Sequence, residues 1–398
     1  MSSSTISAPF PPSTSLLATV RQSCNAVRTQ SNIKISQSAI STFLHSLSEA
    51  NFNRLKTQHG VAFPLQFDSV HTELNFLAVL SLLNTLSAYR KAFHTATGQG
   101  AYQNVIKLCI GLYISSPDGS GTGKLSADGL ASLTSDEVAQ LWGVSLFQEK
   151  KVQGLPMVMG QRGGEMNEIV ELVVKCCNET GQRLKQGGYP DLGSFMLEAL
   201  KEGERISKAS KGDDIAPLNA VLDKIVRGIP GFADMYLIDG QQPVYLFKKA
   251  FFFLFAIHQR FSVKAEIWLP DPTGLPMFVD NVLPTMVKAF GIIDLSESTS
   301  PALCKWAATA APSEADAKVV EGPTLTHEDA YRVRAAALDA GTVVVEEAKK
   351  LAEAEPERYG WMREMTEADL DGYLWSVGKD DAALRKVPRL VEKETIMY

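Results

Sequence analysis

IVRGIPGFADMYLIDGQQPVYLFKKAFFFLFAIHQRF occupies residues 225–261, and LPMFVDNVLPTMVKAFG occupies residues 275–291. From Val244 to Phe261 the first stretch is apolar nearly all round, the pattern of a helix buried on every side. Yet it carries two adjacent lysines, Lys248 and Lys249, which such a helix should avoid. On a period of 3.6 residues Lys248 shares a face with Phe251, Phe252 and Phe255. Its ammonium either snorkels to a nearby surface or meets a partner in a pocket. In the second stretch a lone acid, Asp280, follows the apolar run 276–279 and precedes a helical pattern reaching Gly291. Aspartate in that place caps a helix by accepting its orphan N–H groups. Those donors and the helix dipole keep the carboxylate ionised. Capping and chemistry at Asp280 are therefore compatible.

The rest of the chain bounds what this stretch belongs to. Of 398 residues, 45% are hydrophobic and 21% charged, the balance of a soluble globular protein. The longest apolar run, 250–257, is too short to cross a bilayer, so no membrane partner is expected. A net charge of −6 argues against direct binding of nucleic acid, which needs a basic surface. The five cysteines (24, 109, 176, 177 and 304) show no metal spacing and read as free thiols of a reducing compartment. With no metal or dinucleotide motif anywhere, neither metal nor cofactor is expected. The GTGK at 121–124 fails as a phosphate loop, because Asp118 replaces its first glycine and Leu125 its Ser or Thr.

Residues 1–31 are rich in Ser, Thr and Pro and read as a disordered tail, leaving 32–398 as one domain. The first acid is Glu49, and an acid-free, Arg-bearing tail is also the composition of a mitochondrial transit peptide. A cytoplasmic location is expected, with the mitochondrion as the alternative. Glu73 to Leu86 reads as a buried helix containing Asn75 and Asn84, whose amides need core or ligand partners. His59 precedes Gly60 in a loop, where an imidazole is a structural donor or a ligand. Helical patterning resumes from His327 to Glu353, and strand signals are scarce. The pattern predicts a mainly α protein with few short strands.

Several segments, taken in order, resemble the queuosine salvage family, the queuosine 5′-phosphate N-glycosylase/hydrolases. Phe232-Ala233-Asp234 is similar to its F-x-D block, VYLFKKA at 244–250 to V-x-x-x-K-R-A, and FVDNVLP at 278–284 to F-A-D-Y-R-x-P. Val333-Arg334-Ala335 resembles its I-R-A, and DGYLW at 371–375 with the closing TIMY resembles its tail. The block at 73–80 (ELNFLAVL) stands where the family has D-T-L-N-F-S-F-W; with the 98–102 segment it looks like a fungal branch. Asn281 replaces the family tyrosine and Lys249 an arginine.

The resemblance implies a single large helical domain similar to helix-hairpin-helix DNA glycosylases. It also implies hydrolysis of queuosine 5′-monophosphate to queuine and ribose 5-phosphate, with queuine later reinserted into tRNA by a separate enzyme. The partner is then this small molecule. By the same resemblance Asp280 and Lys248 are catalytic, and Phe232, Asp234, Asn281, His59, Asn75 and Glu73 bind substrate. Asp234 would accept from the N1–H and 2-amino donors of the base, and Phe232 would stack on its ring. The rival readings are a catalytically inactive nucleotide-binding or scaffold protein of the same fold, and a DNA glycosylase, which the acidic balance disfavours.

Overall fold

A computed structural model describes residues 8–58, 61, 65–115, 123–151, 157–210, 212, 214–263, 266–309 and 321–398. Seventeen α-helices and three two-stranded antiparallel pairs among these residues make the protein mainly α, as its periodicity predicts. The chain divides into two compact units. One comprises residues 1–64, 202–223 and 234–392, the other residues 65–201, 224–233 and 393–398.

The first unit is built around the long helix His327–Ala354. Every residue from Ala330 to Gly341 is buried, and five of these are alanine, so neighbours approach from all sides. At Gly341 a Cβ would stand 2.4 Å from the Met277 methyl, which ties the segment leading to Asp280 against this helix. The helix Leu16–Gln30 packs on the same long helix, and its Leu16, Leu17, Val20, Cys24 and Val27 are buried. Arg28 pairs with Asp339, and Arg21 with Glu367. The disordered tail expected for residues 1–31 is thus corrected over 16–30. A stripe at helical spacing sits inside a Ser/Thr-rich composition and buries itself on a partner that composition cannot reveal.

Upstream of the lysines the sequence reading also shifts. Residues 244–245 belong not to the helix but to the strand Gln242–Tyr245, which pairs with Met235–Ile238. The turn between them runs through Asp239 and Gly240, both at positive φ. The helix itself is Lys248–Phe261, and Phe247 in front of it takes the left-handed conformation at φ 45°. Farther on come the short helix Val282–Ala289 and the C-terminal helix Glu367–Asp380. Gly372 lets the latter press on the end of helix Glu49–Gln58, since a Cβ there would lie 2.3 Å from the Lys56 carbonyl oxygen.

The second unit centres on the helix Val70–Leu82, buried from Glu73 to Leu82, with Ala101–Ile114 beside it. The helix Glu165–Gln186 packs against the short helix Ala127–Ala131. An antiparallel hairpin pairs Phe147–Lys151 with Val158–Arg162.

Candidate active site

Two helix starts in the first unit carry the charged groups. Asp280 is 5% exposed, and its Oδ1 accepts from the amides of Val282 at 2.6 Å and Leu283 at 3.4 Å. The N-cap position proper belongs to Asn281, whose side chain makes no capping bond. The expected cap therefore exists, supplied from one residue farther out. A carboxylate so held is a fixed negative charge at a positive helix end.

Lys248 is the first residue of its helix and only 5% exposed, so it does not snorkel. Burial pulls its pKa down to about 8; Asp280 and Asp371 act against that, while Lys249 and Arg334 add to it. The third member is Asp371, quoted in the sequence only as part of a motif and given no role there. Its Oδ2 accepts from the Phe278 amide at 2.6 Å. Burial and then the charge of Asp280 push its pKa well above the carboxylate range, against the Phe278 amide and Lys248. At neutral pH Lys248 is mostly protonated, and the Asp371 carboxyl beside it is pushed toward its neutral form by burial. A carboxyl pushed toward its neutral form is a candidate proton donor, here on the Phe278 amide two residues before Asp280.

Asn281 adds an acceptor. It is 2% exposed and donates through Nδ2 to the Leu390 carbonyl at 3.1 Å, which fixes the amide's orientation. Its Oδ1 is buried with no hydrogen-bond partner among the described residues. A ligand hydroxyl or N–H would satisfy it.

Asp234 does not stand where a base edge would meet it. Its carboxylate is fully buried, with Oδ1 accepting from the Tyr331 hydroxyl at 2.8 Å and Arg334 Nη1 at 3.2 Å. Its Oδ2 accepts from Arg334 Nη2 at 2.6 Å. The base-edge role is corrected: a buried charged carboxylate takes a permanent counter-ion, and no periodicity links residues 234 and 334. Arg334 also reaches the Val279 carbonyl through Nε at 3.1 Å and Nη2 at 2.9 Å.

The remaining expected contacts lie in the second unit or outside the described residues. Phe232 closes the turn Pro230–Phe232 and is fully buried. Glu73 is buried in the first turn of Val70–Leu82. Asn75 is a core amide: Nδ2 donates to Leu125 O at 3.2 Å and Oδ1 accepts from Gly193 N at 2.9 Å. Both ends of that side chain are occupied by backbone, which corrects its placement among substrate contacts. His59 lies outside the described residues.

The sequence model of the family described as queuosine salvage protein matches residues 216–398. That stretch contains Asp234, Lys248, Asp280, Asn281, Arg334 and Asp371, whereas the 73–80 and 98–102 segments lie outside it. No curated protein matches the chain.

Proposed function

We propose, from the match of residues 216–398 to the queuosine salvage protein family, that the chain acts in queuosine salvage as an N-glycosidase. Its substrate on this reading is queuosine 5′-monophosphate, and its products are queuine and ribose 5-phosphate. The observation that carries the reading is the buried group of Lys248, Asp280 and Asp371 at one place in the family-matched stretch.

Breaking the C1′–N9 bond builds positive charge on the sugar. Asp280, fixed by two amides, stabilises that charge and accepts a proton from the attacking water. Lys248 is its counter-charge and keeps it aimed; no covalent step through the lysine is needed. Queuine is a 7-deazapurine, so protonation at N7 cannot help it leave. Help comes from hydrogen bonds at its other edges, and Asp371, whose carboxyl burial pushes toward the neutral form, is the candidate donor. The open Oδ1 of Asn281 accepts from a ribose hydroxyl or a base N–H.

The test is incubation of the protein with queuosine 5′-monophosphate and, separately, with queuosine, followed by mass-spectrometric detection of free queuine. Release from the nucleotide supports the reading. Saturable binding without release would replace it with a binding role.

A further inference from the structure

We infer that Asp234 and Arg334 form a brace that sets the position of Lys248 against Asp280, an inference that rests on the glycosidase reading above. Asp234 acts through two different parts of itself. Its backbone carbonyl accepts from the amides of Leu246 at 2.9 Å and Phe247 at 3.3 Å, the two residues directly before Lys248. Its carboxylate grips Arg334 through both oxygens, and Arg334 in turn holds the carbonyl of Val279, directly before Asp280. One ion pair therefore tethers both chain segments that present the reacting groups.

Two further observations fit a brace rather than a substrate reader. Both side chains have no exposed surface, so neither is available to an entering ligand. The tether also ends on a strained residue. Phe247 sits at φ 45°, a conformation that a bulky side chain keeps only where its surroundings over-determine it. The bonds from Asp234 supply part of that determination. Phe247's own carbonyl then accepts from Ala250 at 3.0 Å and Phe251 at 3.1 Å and starts the helix that opens with Lys248. Tyr331 completes the arrangement by donating to Asp234 Oδ1, which holds the carboxylate against rotation. Arginine is needed because its planar fork grips a carboxylate and a carbonyl together; a lysine has one point of charge.

Arg334→Lys and Asp234→Asn, each checked for a cooperative melt, test the brace. Misplacing a reacting group by about 1 Å commonly costs on the order of 100-fold in rate. Arg334→Lys is accordingly expected to lower kcat about 100-fold with KM held within about threefold, the signature of lost transition-state alignment. A parent-like kcat in Arg334→Lys overturns the inference. So does Asp234→Asn with a raised KM and an unchanged kcat, because that split assigns Asp234 to substrate binding. A second readout is independent of turnover: the Lys248 Nζ–Asp280 separation in crystal structures of the parent and Arg334→Lys. A changed separation supports the brace and an unchanged one overturns it, which keeps the inference testable should Asp234→Asn fail to fold. If the parent itself releases no queuine, the glycosidase reading fails alone and the separation still decides the brace.

Discussion

Replacing Lys248 with methionine is expected to make the protein more stable while abolishing its turnover. A fall in pKa from 10.5 to about 8 means that keeping this lysine charged in the folded state costs roughly 3–4 kcal/mol, at about 1.4 kcal/mol per pH unit. Methionine is unbranched and fills the space of the lysine stem without a charge. The gain is smaller than the full cost, because Asp280 loses an attractive neighbour; two amides still hold its carboxylate. A net stabilisation of about 1–3 kcal/mol at pH 7 follows. The sign with pH is fixed by the direction of the shift. Between about 8 and 10.5 the folded protein has shed a proton that the unfolded chain retains, so this group's contribution rises with pH and is lost as pH falls. Tyr331 and Cys24, whose ionisation burial pushes up, act the other way in alkali, so only the difference between variant and parent is informative. Urea denaturation of both proteins from pH 7 to pH 10 should show the variant's advantage shrinking steadily above about pH 8. An advantage independent of pH, or a variant less stable at pH 7, would falsify the picture of a buried, charged Lys248.

Asp280→Asn should retain the helix start to within about 1 kcal/mol, since asparagine also accepts from the Val282 amide. Its kcat should fall about 100-fold or more; parent-like queuine release would leave Asp280 as a cap only. Deleting residues 1–30 should lower the melting temperature sharply, because it strips the buried Leu16, Leu17, Val20, Cys24 and Val27 and the partners of Asp339 and Glu367. At about 2–5 kcal/mol per lost large apolar side chain the deletion approaches the whole stability of a domain, and an unshifted melt would show that the helix contributes nothing. Asn281→Leu should raise KM about tenfold by removing a buried acceptor that a ligand donor satisfies. An unchanged KM in that variant takes Asn281 out of the binding site.

What the sequence disclosed followed from short-range chemistry. The apolar run after Lys249 makes a buried helix whatever surrounds it, and an aspartate ahead of Val282 meets the same orphan amides in any fold. The boundary at Lys248 was not legible, because Val244 and Tyr245 are apolar in a strand for the same reason they would be in a helix. The Asp239-Gly240 turn was the available signal. Asn75 could be read only as a buried amide needing partners; which partners depends on Leu125 and Gly193, far away in sequence. Asp371 was visible as a motif letter, yet the upward push on its carboxyl comes from burial and then from Asp280, neither of which is local to it. The N-terminal helix was hidden by composition, which averages over the stripe that matters.

The misreading of Asp234 points to the physical logic of the site. A fully buried ion pair adds little net stability, since taking two charges out of water offsets most of their attraction. Lys248 costs stability outright. Selection for folding alone would favour apolar side chains at all three places. What apolar residues cannot do is hold a carbonyl in a chosen direction. Arg334 does so at Val279, where both donors converge on one oxygen, and Asp234 does so for Arg334. The buried charges are best understood as fixing directions at the two helix starts. Their cost is met by the alanine-packed helix on which Tyr331 and Arg334 are carried. The same logic separates Asn75 from Asn281, two buried amides of identical chemistry. In the first both ends are bonded to backbone and the residue is scaffold; in the second one end is bonded and the other is left for a donor from outside.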